Sequence, residues 1–402
     1  MAMWSAKLSD MLDHYLSPVQ PNSLGYYPSE FSITLGSCIE THTPEEGLPE
    51  IPDNGLVMLG VGEDRGAENN AGCADAPNEI RRYLYRLAVP HPDTAIVDLG
   101  NIILGQTAED TYYAVAEVLA EVVRRGSTLI LLGGSQDLTF AAYKGFENLN
   151  QIINIASIDS RFDLEHNDDI TSRTWLRNII MQNPNYLFFN ANIGYQTHFV
   201  GSESVRLMEE LKFDAYRVGE VQQDMSRAEA LIRNSDLVSV DLGAVRQSDA
   251  PGNLDPSPHG FYGEEFCQMM RFAGMSAKTR CLGLFEVNPQ FDNRGQTAHM
   301  VAQGLWYFIE GYYLRQHDNP LLFPENCKRF IVKMEEPEID MNFFKSKLSD
   351  RWWVQVPCDN SELQEIYSTQ LMLPCTYGDY LQALKGELPA LWMKYYQRLN
   401  IQ

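Results

Sequence analysis

Eight short apolar runs, separated by stretches of helical patterning, constrain this chain more than any other feature. They fall at 56–61, 95–99, 128–132, 153–159, 186–193, 215–218, 237–242 and 281–287. Most show no polar alternation. A strand with one wet face alternates; a strand covered on both faces does not. Helical patterns lie between them, at 112–125 (YYAVAEVLAEVVRR), 204–211, 227–234 and 263–274. About eight strands interleaved with helices predict an α/β fold, a doubly wound and mostly parallel sheet covered on both faces. Ligands of such sheets bind beyond the carboxyl ends of the strands. The residues just after each strand are therefore the ones to inspect.

The pattern changes near residue 330. Residues 331–402 carry Trp352, Trp353, Trp392, Tyr395 and Tyr396, with helices expected at 379–386 and 389–399. Pro389 suits a first helical turn. No glycine- or serine-rich linker precedes this segment. It is expected to be an appendage packed on a domain spanning 1–330 or on a partner chain. The 402 residues are 44% apolar and 21% charged, ample for a large core. A net charge of −23 argues against nucleic acid and anionic membrane as partners. No apolar run approaches the roughly 18 residues of a membrane span. The opening stretch MAMWSAKLSDMLDHYL is amphipathic and lacks the apolar core of a secretory signal. The 7 cysteines are scattered, only Cys358 and Cys375 lie at all near each other, and no CxxC occurs. Reduced thiols and a cytoplasmic location are the expectation.

The strand ends carry the chemistry. The third strand runs into Gly133-Gly134-Ser135-Gln136-Asp137 and the fourth into Asp159-Ser160-Arg161-Phe162-Asp163. The seventh ends in Ser239-Val240-Asp241-Leu242-Gly243 and the eighth in Glu286-Val287-Asn288-Pro289. Four acids, Asp159, Asp163, Asp241 and Glu286, should converge at one rim. Clustered carboxylates need a cation, a proton or a basic partner to coexist. The Gly-Gly pair also suits a plain strand-to-helix turn, and Glu286 suits a structural salt bridge as well as a ligand contact. His198, His259 and His299 have no acidic or cysteine neighbours at ligand spacing and read as structural.

In order and spacing these segments resemble the GGDHS, DAHxD, SxDxDxxDP and E-[VL]-N-P motifs of the ureohydrolase family, which includes arginase, agmatinase and formimidoylglutamase. The stretch 60–81 (GVGEDRGAENNAGCADAPNEIR) resembles the family's early glycine-rich loop. The segments IGYQ (193–196) and YRVGE (216–220), together with 292–311, are most similar to the formimidoylglutamase-like branch. The resemblance covers roughly 30–330 and implies a three-layer α/β/α fold and hydrolysis of C–N bonds in linear amidines. It also implies two manganese ions, the first held at the positions of Gln136, Asp159, Asp163 and Asp241, the second at those of Asp159, Arg161, Asp241 and Gly243.

This chain departs from that pattern. Gln136 and Arg161 stand where the resemblance implies histidines, and Gly243 where it implies an aspartate. The second ion loses both ligands that belong to it alone. The first keeps three carboxylates and an amide oxygen, which a hard cation accepts. The stretch Ser172-Arg173-Thr174-Trp175 replaces the segment that would hold a catalytic histidine; His166 lies nearby and reads as a loop residue. A guanidinium cannot ligate a metal but can fork onto carboxylates. Arg161 is therefore expected to occupy the vacated site, within about 2.7–3.2 Å of Asp159, Asp163 or Asp241. The main expectation is a pseudoenzyme with a degenerate metal site and no cofactor. It would bind a protein partner or a small amidine or guanidine ligand through Glu286, with Asp163 and Asp241 as remnants of the pocket, and could form a homo-oligomer. The alternative is a hydrolase of linear amidines using one manganese or another hard divalent cation.

Overall fold

The computed structural model describes residues 12–20, 24, 33–167, 169–335 and 338–400. All eight expected strands form: β3 (Leu56–Val61), β4 (Ile96–Ile102), β5 (Thr128–Gly133), β6 (Ile153–Ile158), β7 (Leu187–Tyr195), β8 (Asp214–Arg217), β9 (Leu237–Asp241) and β10 (Cys281–Phe285). Two short strands that patterning does not reveal, β1 (Leu16–Ser17) and β2 (Ile39–Thr41), pair with β4. The ten-stranded sheet is ordered β1-β4-β3-β5-β10-β9-β6-β7-β8. Only the β1–β4 pairing is antiparallel. Every residue of β3, β5, β6, β7 and β10 is buried, which is why these strands read as unbroken apolar runs.

Strands β5 and β6 follow one another in sequence, yet β10 and β9 lie between them. The four adjacent strands β5-β10-β9-β6 thus open one crevice at their carboxyl ends; Gln136 and Glu286 follow the first two, Asp241 ends β9, and Asp159 and Asp163 follow β6. Helices cover the faces. Ala108–Arg124 starts at a capping box of Thr107 and Asp110 and buries Val115, Val118, Leu119 and Val122. Gly263–Met275 packs against Gln296–Tyr313 so closely that a Cβ on Gly274 would lie 2.1 Å from the Phe308 carbonyl oxygen.

The change of pattern near residue 330 falls inside β11 (Cys327–Met334), the first strand of a separate antiparallel sheet with β12 (Ile339–Ser346), β13 (Trp352–Gln355) and β14 (Met372–Cys375). This sheet was not expected. Its strands are short or alternate in burial, so they give no long apolar run. The two expected helices form at Tyr377–Leu384 and Ala390–Asn400. The segment is anchored on the amino ends of β6 and β9. Asn154 Nδ2 donates to Tyr395 Oη at 3.1 Å, Arg233 donates to the Trp352 carbonyl at 3.2 Å, and Arg233 stacks over Trp353 at 4.4 Å. All seven cysteines are free thiols. Among the described residues no helix is long and apolar enough to cross a membrane.

Candidate active site at the carboxyl ends of the strands

The turn after β5 is built on Gly134, whose missing Cβ matters: one placed there would sit 2.0 Å from the Glu63 carbonyl oxygen. The turn presents the Gln136 N–H to Glu286 Oε1 at 2.9 Å. Asn70, from the loop after β3, donates to Glu286 Oε2 at 2.8 Å. Among the described residues Glu286 makes no salt bridge; it is held by neutral donors. Its backbone lies at φ +65° and that of Asp163 at +54°. Left-handed backbone at non-glycine residues costs of order 1 kcal/mol and persists where neighbours over-determine it. For Asp163 one such neighbour is Trp175, whose Nε1 donates to Oδ2 at 2.8 Å. Asp241 Oδ1 accepts from the Gly243 N–H at 2.6 Å, an Asx turn that ends β9.

The expected convergence is present. Asp159, Asp163 and Glu286 are 0%, 4% and 4% exposed, and Asp241 is half-buried. Burial pushes Asp159 up to about 6, Asp241 to about 7 and Glu286 to about 8. Burial, reinforced by the neighbouring Asp159, holds Asp163 well above the usual carboxylate range. Asp159 and Asp163 lie beside one another, and two carboxylates so placed resist ionising together. Two buried oxygens, Asp159 Oδ2 and Gln136 Oε1, have no hydrogen-bond donor.

The expected Arg161 fork is absent. Asp159 Oδ1 accepts from the backbone N–H of Arg161 at 2.7 Å, and this Asx turn swings the chain outward. The guanidinium instead lies 4.2 Å over the Phe199 ring and donates to the Phe199 carbonyl at 3.3 Å. Stacking at a part-exposed rim keeps it hydrated, whereas insertion would strip its water. Among the described residues no ion pair joins Arg161 to a carboxylate. The expected buried ion-pair network therefore does not form.

A cavity of about 40 Å³ lies above the cluster. Asp241 and Glu286 line its acidic side; Arg161, Arg173 and Phe199 also border it. Arg173 acts at longer range, lowering the raised values of Asp159 and Asp241. Sequence reasoning missed three working residues, Asn70, Arg173 and Trp175. The signal for the last two is the Ser172–Trp175 stretch itself, which lacks a histidine but supplies a cation and an indole N–H. Among the described residues no histidine lines this cavity. His166 is exposed in an outer groove, His299 stacks on Tyr83 at 4.9 Å, and His198 and His259 face one another at 6.3 Å.

A pair of manganese ions does not fit these residues. Arg161 offers no lone pair and points away, Gly243 has no side chain, and among the described residues no three His, Cys, Asp or Glu side chains form a group that could hold a metal.

Comparison with known proteins agrees with the architecture. The chain is 25% identical over 302 residues to a formimidoylglutamase of Macrococcus caseolyticus, covering 72% of this chain and 92% of the relative. A Staphylococcus epidermidis formimidoylglutamase is 27% identical over 264 residues, covering 62% and 83%. Among solved structures, formimidoylglutamase from Bacillus subtilis superposes with a TM-score of 0.64 at 16% identity, covering 72% of this chain and 95% of that one. Trypanosoma cruzi formiminoglutamase, solved with Mn2+, superposes with a TM-score of 0.62 at 18% identity, covering 71% and 100%. The family model for arginases matches residues 54–310, well over half the chain and all four strand-end motifs, and the chain belongs to the arginase family.

Proposed function

We propose that this protein hydrolyses a C–N bond of a linear amidine at the carboxyl end of its sheet. The expectation of a binding-only protein rested on Gln136, Arg161 and Gly243 standing at ligand positions; the companion expectation, that Arg161 would neutralise the acidic cluster, fails because Arg161 does not reach it. What supports catalysis is the uncompensated cluster itself, facing a cavity on two carboxyl groups and open to a cation. Family membership and relatives matched over most of their length support the reaction class.

In this reading Glu286 accepts hydrogen bonds from the amidinium nitrogens, held in aim by Asn70 and the Gln136 N–H. A cationic ligand beside it favours the ionised carboxylate, so binding expels the Glu286 proton. A bound divalent cation would supply a water acidic enough to attack at neutral pH. Asp241, raised to about 7, is the base that would take a proton from an attacking water and return it to the leaving nitrogen. Water adds to the amidine carbon, the C–N bond breaks, and the products are an amide and an amine. Arg173 sets how readily Asp241 gives up its proton.

The test is release of glutamate and formamide from N-formimidoyl-L-glutamate, with arginine and agmatine in parallel, after loading with Mn2+. Turnover on the order of 1–10 per second, abolished by Glu286→Gln, is expected. A binding-only role remains the second reading, and the loss of ligands at Arg161 and Gly243 favours it. It predicts no turnover on any of the three, together with thermal stabilisation by an amidine.

A further inference from the structure

We propose that a groove between the appendage and the domain binds a small carboxylate with an aromatic body, held by Arg398. The groove spans about 520 Å³ beside the amino ends of β7 and β8, the far end of the sheet from the acidic crevice. That volume suits a ligand of metabolite size. The domain supplies Phe188, Leu211 and Lys212, and the appendage supplies Tyr367 and Arg398. A Schellman turn shapes the domain side. Lys212 lies at φ +57°, and the Phe213 N–H donates to the Met208 carbonyl at 2.9 Å, ending the helix Ser202–Glu210.

Arg398 is the residue that points to a ligand. Its guanidinium lies over the rings of Phe188 at 5.3 Å and Phe213 at 5.1 Å. It donates to the Leu211 carbonyl, while its Nε is buried without an acceptor. Burial pushes the guanidinium below the usual arginine range; the groups working against this are two phenols, Tyr395 and Tyr367, and phenols carry no charge at neutral pH. Among the described residues no carboxylate pairs with it. Other buried arginines are compensated. Arg81 meets Asp98, Arg233 and Arg351 meet Glu229, and Arg315 donates to the Gly274 and Thr279 carbonyls and to the Thr128 hydroxyl. A chain of net charge −23 has carboxylates to spare, yet Arg398 faces an open groove instead. A buried charge without a counter-charge is costly, and a bound anion would relieve that cost.

The lining sets the ligand's charge. Lys212, exposed on the rim, adds a second cation and Glu210 on the same rim cancels one, which leaves a single net positive charge. A monoanion matches that balance and a phosphate dianion does not. A planar carboxylate also fits the guanidinium fork. The walls set the ligand's body. Phe188 and Tyr367 present ring faces, their centroids 5.0 Å apart, beside the apolar Leu211. Tyr367 and Arg398 lie beyond residues 54–310, so the groove is not part of what the chain shares with the arginase family, and it stands or falls apart from the hydrolase reading.

The experiment is a calorimetric titration of the full chain with phenylacetate, with phenylacetamide, acetate and phenyl phosphate in parallel. Phenylacetate should bind with a Kd of about 1 mM or tighter, and loss of its charge or its ring should weaken binding at least about tenfold. Lys212→Glu should weaken it at least about threefold, and Arg398→Gln should abolish it. Should Arg398→Gln misfold, Arg398→Lys decides: it keeps the charge and loses the fork, and affinity should fall at least about tenfold. Arg173→Ala, at the strand-end cavity, should change nothing. A Kd weaker than about 1 mM, equal or tighter binding of any of the three analogues, undiminished affinity in the Lys212 or Arg398 variants, or loss of binding in Arg173→Ala would each overturn the inference.

Discussion

Strand β9 has an aspartate at each end, and the two live differently. Asp236, just before it, accepts from the Asn154 N–H at 2.9 Å and faces the Lys278 ammonium at 3.6 Å. Lys278 donates in turn to Gln370 at 3.0 Å, and Asn154 and Asn234 both donate to Tyr395. Burial still raises Asp236, but Lys278 works against the rise. Asp241, the last residue of the strand, has one backbone donor, and burial and the carboxyl of Asp159 both raise it. The amino end of the sheet is thus compensated by Lys278 and the Asn154 N–H, which the appendage engages in turn through Gln370 and Tyr395, whereas the acidic cluster at the carboxyl end has no ion pair among the described residues and only the more distant charge of Arg173. A buried charge that is paired marks structure; one left wanting a cation marks a place for something to bind.

The sharpest way to break this contrast is to remove a carboxyl at each end of the sheet, Asp236 at the amino end and Asp163 from the cluster around Asp241. Asp236→Ala leaves Lys278 unpaired and the Asn154 N–H without its acceptor, and should cost about 3 kcal/mol in urea denaturation. Asp163→Asn removes one of the crowded carboxyls and should stabilise the metal-free protein near neutral pH. Similar losses at both ends would end the distinction.

The pH dependence sharpens it. Near and below the usual carboxyl values of 3.8 and 4.5, folded and unfolded chains are both largely protonated at the cluster, which then costs little. As pH rises toward about 8, the unfolded chain ionises while Asp159, Asp241 and Glu286, raised to about 6, 7 and 8, hold their protons. The unfolded state therefore binds fewer protons, and stability falls through that window and levels above it. The urea midpoint of chelator-treated protein should drop between pH 5 and 8, and Asp163→Asn should flatten the drop. A rise with pH would contradict the raised values.

Smaller effects follow. Tyr395→Phe takes the hydroxyl partner from Asn154 and Asn234 and should cost about 1–2 kcal/mol, readable as a lowered melting temperature. Arg161→Ala, which would have been severe had the guanidinium sat among the carboxylates, should cost no more than about 1 kcal/mol. A loss several times larger would mean that Arg161 reaches the cluster in solution.

Much of this was legible in the sequence. The eight core strands announced themselves because burial on both faces leaves no room for polar alternation, and the convergence of Asp159, Asp163, Asp241 and Glu286 followed from strand ends sharing a rim. The small sheet of 327–375 was not legible, since β13 and β14 have four residues each and Trp352 and Trp353 fit a core or an interface equally well.

The sequence by itself determined the parallel sheet, the acidic rim and the absence of imidazole ligands at Gln136 and Arg161, because periodicity and residue type are local properties. Only the tertiary structure decided where the Arg161 charge goes. An Asx turn at Asp159 and an aromatic ring 38 residues further along the chain draw the guanidinium outward. A long side chain reaches whichever partner costs least desolvation, and that choice is made by neighbours in space.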